Sequence, residues 1–160
     1  LSTDRHPPIL GSRSVTWLGE DECAASARKL ATAAELRDAS VELRGPLGAG
    51  KTTFVRHLLH ALGVLGRVKS PTYAVMEPYD LPAGEVWHFD FFRFDDPQEW
   101  EDAGFRDIYA SRGLKIAEWP EKAAGLLPMP DLSVEITVGE DERRDATFRA
   151  HSARGLELLP

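Results

Sequence analysis

Apolar residues along this chain recur in two periods, a helical spacing and a strict alternation, and the switches between them mark out the elements. Val15-Thr16-Trp17-Leu18 alternates and predicts a first strand. Over residues 20–36, Ala24, Ala27, Leu30, Ala31 and Ala34 fall on one side of a helix. Residues 40–44 alternate again, and then Phe54, Val55, Leu58, Leu59 and Leu62 return to helical spacing until Gly63 stops the helix. Strands are predicted over 73–79 and 85–92 around the turn Leu81-Pro82-Ala83-Gly84. A helix is predicted over 97–103, with Asp95 or Asp96 as its cap and Pro97 in its first turn. A short helical segment over 105–110 follows, then a strand over 114–118 closed by Trp119-Pro120. The strands 132–138 and 146–151 flank a charged turn and predict an antiparallel hairpin.

Between the strand at 40–44 and the helix behind it lies Gly45-Pro46-Leu47-Gly48-Ala49-Gly50-Lys51-Thr52, a complete G-x-x-x-x-G-K-[ST] loop. Glycines let the backbone curl until successive N–H groups point inward at phosphate oxygens. The following helix offers its unpaired N–H groups and a partial positive charge of about half a unit. Lys51 adds a mobile cation, and the Thr52 hydroxyl suits magnesium. Strand, glycine loop and helix together predict a nucleotide-binding site. The whole pattern predicts an α/β chain with a three-layer, P-loop NTPase-like fold, a mixed and partly parallel sheet, and a C-terminal β-hairpin.

With 160 residues and 42% hydrophobic content, one domain is expected. It is placed at 14–152, with a flexible lead-in over 1–13 and a tail over 153–160. The single cysteine, Cys23, rules out an internal disulfide framework and suits a reducing cytoplasm. No apolar run approaches the roughly 18 residues of a membrane span, and no secretory signal core is expected. A net charge of −7 argues against broad binding to nucleic acid, so any such role would run through a partner. The chain has no asparagine, so the guanine-reading N-K-x-D motif is absent and adenine is favoured.

A phosphate loop needs acidic partners. Asp90 closes Val86-Trp87-His88-Phe89-Asp90, a hydrophobic strand with a terminal aspartate, and Glu118 closes the strand 114–118. Ligands of open α/β folds collect at the carboxyl ends of strands, where both would face the phosphates; capping an element or pairing with surface cations is the alternative for each. Thr72, in Ser70-Pro71-Thr72-Tyr73, stands where a γ-phosphate-sensing switch or a plain polar turn would fit. His88 is either a packed histidine or a proton carrier, and Arg93 either a phosphate contact or a surface ion pair. Arg106 and Arg112 leave open a small-molecule kinase with an arginine-bearing lid, and a nucleotide-gated binding module shares the same loop.

The blocks Gly45 to Thr53, Val68-Lys69-Ser70-Pro71-Thr72-Tyr73, Glu77-Pro78-Tyr79, His88-Phe89-Asp90 and Glu118-Trp119-Pro120 occur together and in order. In this the chain resembles the TsaE (YjeE) family of small bacterial ATPases, from about residue 20 to 138. The resemblance implies an accessory role in threonylcarbamoyladenosine modification of tRNA. TsaD would transfer the threonylcarbamoyl group to an adenosine beside the anticodon, and the chain would hydrolyse ATP to ADP in support of TsaD and TsaB. Contact with tRNA would be only through these partners, and no membrane is implied. Carried over to this chain, catalysis falls to Lys51, Asp90, Glu118 and Thr72. Nucleotide binding falls to Glu20, Leu47, Gly48, Ala49, Gly50, Lys51, Thr52, Thr53 and Arg143, and Mg2+ binding to Thr52 and Glu118. Trp119 is expected either beside the nucleotide or in the core.

Overall fold

A computed structural model of the chain describes residues 7–69, 71 and 75–160. The predicted switch residue Thr72 lies outside the described residues. Seven strands form one mixed sheet: β1 (Gly11–Trp17), β2 (Ser40–Arg44), β3 (Met76–Leu81), β4 (Gly84–Asp90), β5 (Leu114–Glu118), β6 (Leu132–Val138) and β7 (Arg144–Ala150). Their order is β1-β7-β6-β2-β5-β4-β3. The central strands β6, β2, β5 and β4 run parallel, while β3, β7 and β1 join antiparallel. β5 is buried along its whole length, its charged Lys115 and Glu118 included, and β2 is buried through its middle.

Helices α1 (Glu20–Ala31) and α2 (Lys51–Ala61) cover one face. Cys23, Ala27, Leu30, Phe54, Val55, Leu58 and Leu59 meet Val41, Leu43, Ile116, Val134 and Phe148 there. Phe54 anchors this layer, stacked on Trp17 at 5.5 Å between centroids and edge-on to Phe148 at 6.2 Å. Truncating such a fully buried ring costs about 3–5 kcal/mol. The opposite face carries α3 (Pro97–Asp102) and α4 (Phe105–Ala110), whose Trp100 and Phe105 pack on Phe89, Phe91 and Ala117. Asp96 is the α3 cap, accepting the Gln98 N–H at 2.9 Å, with Pro97 at the first helical position. Among the described residues no helix is long and apolar enough to cross a membrane.

Several boundaries differ from the sequence expectation. β1 begins at Gly11, and all seven of its residues pair with β7, so the strand takes in residues 11–13 of the predicted lead-in. The α1 helix stops at Ala31, and a 3-10 turn over Ala34–Asp38 follows. A straight helix would turn Leu36 about 120° away from Leu30, whereas the break returns Leu36 to the core. At the other end a short helix α5 (Ala153–Leu156) and buried Leu158 pack residues of the predicted tail. The hairpin β6–β7 forms as expected, with its second strand starting at Arg144 rather than at residue 146.

Candidate functional site

The glycine loop leaves β2 and enters α2 at the carboxyl ends of the parallel strands, the place the fold reserves for ligands. Gly45 has φ +147° and lies against the Ile136 carbonyl of β6, closer than a side chain would allow. Gly50 precedes α2 at φ 106° with no side-chain cap, so the first N–H groups of the helix stay available. Leu47, Gly48, Ala49, Gly50, Lys51, Thr52 and Thr53 line a cavity of about 270 Å³ together with Asp90, Phe92, Glu118 and Trp119.

Strand parity brings the acidic side chains to this cavity. In β4, Val86, His88 and Asp90 face α2, while Trp87 and Phe89 face the aromatic layer. In β5, Leu114, Ile116 and Glu118 share the α2 face. Asp90 and Glu118 are register partners at the ends of adjacent parallel strands. The Thr52 hydroxyl donates to Glu118 Oε1 at 2.7 Å, and His88 Nε2 lies 2.6 Å from Glu118 Oε2. A carboxylate oxygen accepts, so the imidazole Nε2–H donates. His88 Nδ1 is buried without a hydrogen-bond partner among the described residues. Leaving such a group unpaired costs about 1–3 kcal/mol. Asp90 accepts the Phe92 N–H at 3.0 Å; burial nevertheless raises its carboxyl above the ordinary aspartate value.

Lys51 is held at the mouth of the loop. Its ammonium donates to the Gly45 carbonyl and sits 3.4 Å from the centroid of the Trp119 ring. Burial lowers its pKa, against the opposing pull of Glu118, Glu121 and Asp90. Trp119 holds its ring there from a left-handed backbone, φ 55°, a conformation that costs about 1–3 kcal/mol in a bulky residue and clusters at functional sites. A second cavity, about 310 Å³, adjoins the loop behind Ala49, Gly50 and Thr53 and is lined by Trp17, Glu20, Cys23, Asp141, Glu142 and Arg144. Glu20 is reached there at the start of α1, where Oε1 lies 2.9 Å from His57 Nε2 and 3.5 Å from Arg56.

Among the described residues, the predicted site residues gather around two adjoining cavities, with exceptions. Arg143 is exposed, its side chain lying along Gly139, and it lines neither cavity. Its neighbour Arg144 takes that place, with Nε donating to the Ala49 carbonyl at 3.0 Å and a guanidinium N–H to the Glu142 carbonyl. The reason is parity: Arg144 alternates with Ala146, Phe148 and Ala150, which face the core, and that alternation was available in the sequence. The bond from His88 to Glu118 was also missed, although His88 stands two residues before Asp90 and so shares its strand face. Arg93 is exposed and lines neither cavity, and Arg106 pairs with Glu101 on the surface.

The donor set suits a hard cation. A hydroxyl and a carboxylate, 2.7 Å apart beside a helix N-terminus, supply oxygen ligands and leave most positions to water and phosphate oxygens, as magnesium prefers.

A family model described as threonylcarbamoyl adenosine biosynthesis protein TsaE matches residues 18–146. A Haemophilus influenzae protein named tRNA threonylcarbamoyladenosine biosynthesis protein TsaE is 44% identical over 103 residues, which span 64% of this chain and 65% of that protein. A Bacillus subtilis protein of the same name is 33% identical over 140 residues, 86% of this chain and 87% of that protein. The crystal structure of YdiB from Bacillus subtilis superposes with a TM-score of 0.74 at 25% identity, covering 94% of this chain and 93% of the other.

Proposed function

We propose, for a chain that belongs to the TsaE family of threonylcarbamoyl adenosine biosynthesis proteins, that it is a magnesium-dependent ATPase serving that tRNA modification. The observation that carries this reading is the Thr52–Glu118 pair, with Asp90 beside it, at the carboxyl ends of β4 and β5 and against the start of α2.

In this reading the loop amides and the N-terminus of α2 bind the phosphates, and the second cavity takes the nucleoside. Lys51 leaves the Gly45 carbonyl for a phosphate oxygen, a short movement that exchanges one acceptor for a charged one. Trp119 limits where the ammonium can go and excludes water from one side of it. Thr52 and Glu118 would hold Mg2+, which when bound neutralises charge on the phosphate oxygens. Asp90 orients the attacking water from the end of β4, and its raised pKa makes it a better base than an exposed aspartate. Catalysis here is positioning and charge stabilisation.

The partners of this cycle are the TsaD and TsaB proteins, with tRNA held by them and not by this acidic chain. The cytoplasm is its place of work. A small-molecule kinase is the second reading. Against it, Arg112 precedes β5 at the end of the strand remote from Glu118, and Arg106 is occupied by Glu101. Replacing the native gene with a Lys51→Ala version tests the proposal. Loss of threonylcarbamoyladenosine from tRNA at normal protein level supports it, and wild-type levels of modified tRNA refute it.

A further inference from the structure

His88 is a buried polar side chain for which the hydrolysis described above has no use. It stands inside β4 between Trp87 and Phe89, fully buried, on the strand face that leads to Asp90. Packing alone does not call for an imidazole there, since an apolar side chain would fill the space and bring no nitrogen needing a partner. What the imidazole does is hold Glu118, through Nε2 and Oε2 at 2.6 Å.

Glu118 is therefore gripped from two elements, by Thr52 of α2 on Oε1 and by His88 of β4 on Oε2. The two grips differ in kind. Thr52 lines the phosphate cavity and is the hydroxyl that a nucleotide-bound cation would claim, after which its bond to Glu118 changes. His88 is absent from the cavity lining and lies behind the carboxylate, so no ligand competes for it.

We infer that His88 is a positioning residue for ATP hydrolysis: it fixes the Glu118 carboxylate from behind, so that Glu118 keeps facing the phosphate cavity when Thr52 is drawn to the ligand. This rests on the ATPase reading above. Groups that orient a ligating side chain from the second layer typically change activity by about 10–100-fold when removed.

Single-turnover ATP hydrolysis, with the full chain in excess over ATP and saturating Mg2+, tests it in His88→Leu and His88→Gln beside wild type. ATP affinity without Mg2+ is measured by calorimetry on the same three proteins. The expected result for His88→Leu is a turnover about 10–100-fold lower with ATP affinity within about twofold of wild type. His88→Gln keeps an N–H near the Nε2 position and should recover a large part of the loss. A structural role would lower melting temperature in both variants and leave turnover per folded molecule alike. His88→Leu at wild-type turnover, or His88→Gln no faster than His88→Leu, overturns the inference while the ATPase reading stands. A wild-type chain that neither binds nor hydrolyses ATP overturns the reading and the inference with it.

Discussion

Gly45 and Gly48 belong to one loop, but the structure gives them separate work, and alanine at each should fail in a different way. An ideal Cβ on Gly45 would lie well inside carbon–oxygen van der Waals contact with the Ile136 carbonyl and 3.4 Å from Ala49 Cβ. Ile136 is held in β6 by its pairing with Ala146 of β7, one residue past the last β2–β6 pair, so its carbonyl has little freedom to retreat. Overpacking of this kind costs about 1–3 kcal/mol, and an L side chain at φ +147° adds about 1–3 kcal/mol of backbone strain. The stiffer unfolded chain returns about 0.4–1 kcal/mol, which leaves a net loss of about 3 kcal/mol. For a domain of this size that corresponds to a melting temperature lower by about 6–12 °C. At Gly48, φ is +81° and a Cβ would meet nothing within 4 Å. Only the left-handed backbone term applies, about 1–2 kcal/mol less the same unfolded-state return. The added methyl stands in the phosphate cavity, however, and should weaken ATP binding about tenfold. Urea unfolding and calorimetric ATP titration of Gly45→Ala and Gly48→Ala separate the two effects. If Gly45→Ala lost less than about 1 kcal/mol, or Gly48→Ala were the less stable of the pair, the reasoning would be wrong.

Other groups give predictions of their own. Burial raises the Glu42 carboxyl above its ordinary value in spite of its Arg44 partner at 3.1 Å. The folded chain therefore holds that proton more tightly than the unfolded chain. Stability from this group is complete below the ordinary glutamate range and falls as pH rises through the folded pKa. Glu42→Gln should then melt higher than wild type at pH 7 and equally at pH 3, and a larger advantage at pH 3 would contradict this. The Cys23 thiol is pushed up to about 11 by burial, with Glu20 adding to the effect. At pH 8 its thiolate fraction is about 0.1%, so iodoacetamide should label the folded chain far more slowly than the unfolded one; equal rates would refute it. Arg144→Ala removes the strap from the β6–β7 turn to the Ala49 carbonyl and should weaken ATP binding severalfold, whereas Arg143→Ala should leave it unchanged. Equal effects of the two changes, read by the same titration, would count against the parity argument.

Much of this was legible before the structure because the local signals agreed with one another. The loop at Gly45 to Thr52, its strand and its helix each carried a pattern of their own, and the carboxylates of Asp90 and Glu118 stood at strand ends. β1 was harder to see. Of its seven residues only Trp17 is buried, so Gly11 to Ser14 carries no apolar alternation, and its pairing with β7 is a long-range fact that no local pattern encodes. The end of α1 was missed for a related reason: alanines continue a helix comfortably, and only the demand of Leu36 for the core breaks it. The grip of His88 on Glu118 depends on β4 and β5 lying side by side, which the order β2-β5-β4-β3 decides and the chain sequence does not announce. Arg144 was within reach, since extending the Ala146, Phe148, Ala150 alternation by one step selects it over Arg143.

As proposed, this loop and its two strand-end carboxylates would form an ATP-hydrolysing site that serves TsaD and TsaB. Phosphate release from ATP, measured with Mg2+ in the presence and absence of purified TsaB and TsaD, tests it most directly. Release should need Mg2+, rise when the pair is added, and disappear in Lys51→Ala. Release unchanged by that substitution, or no stimulation and no association with the pair, would contradict it.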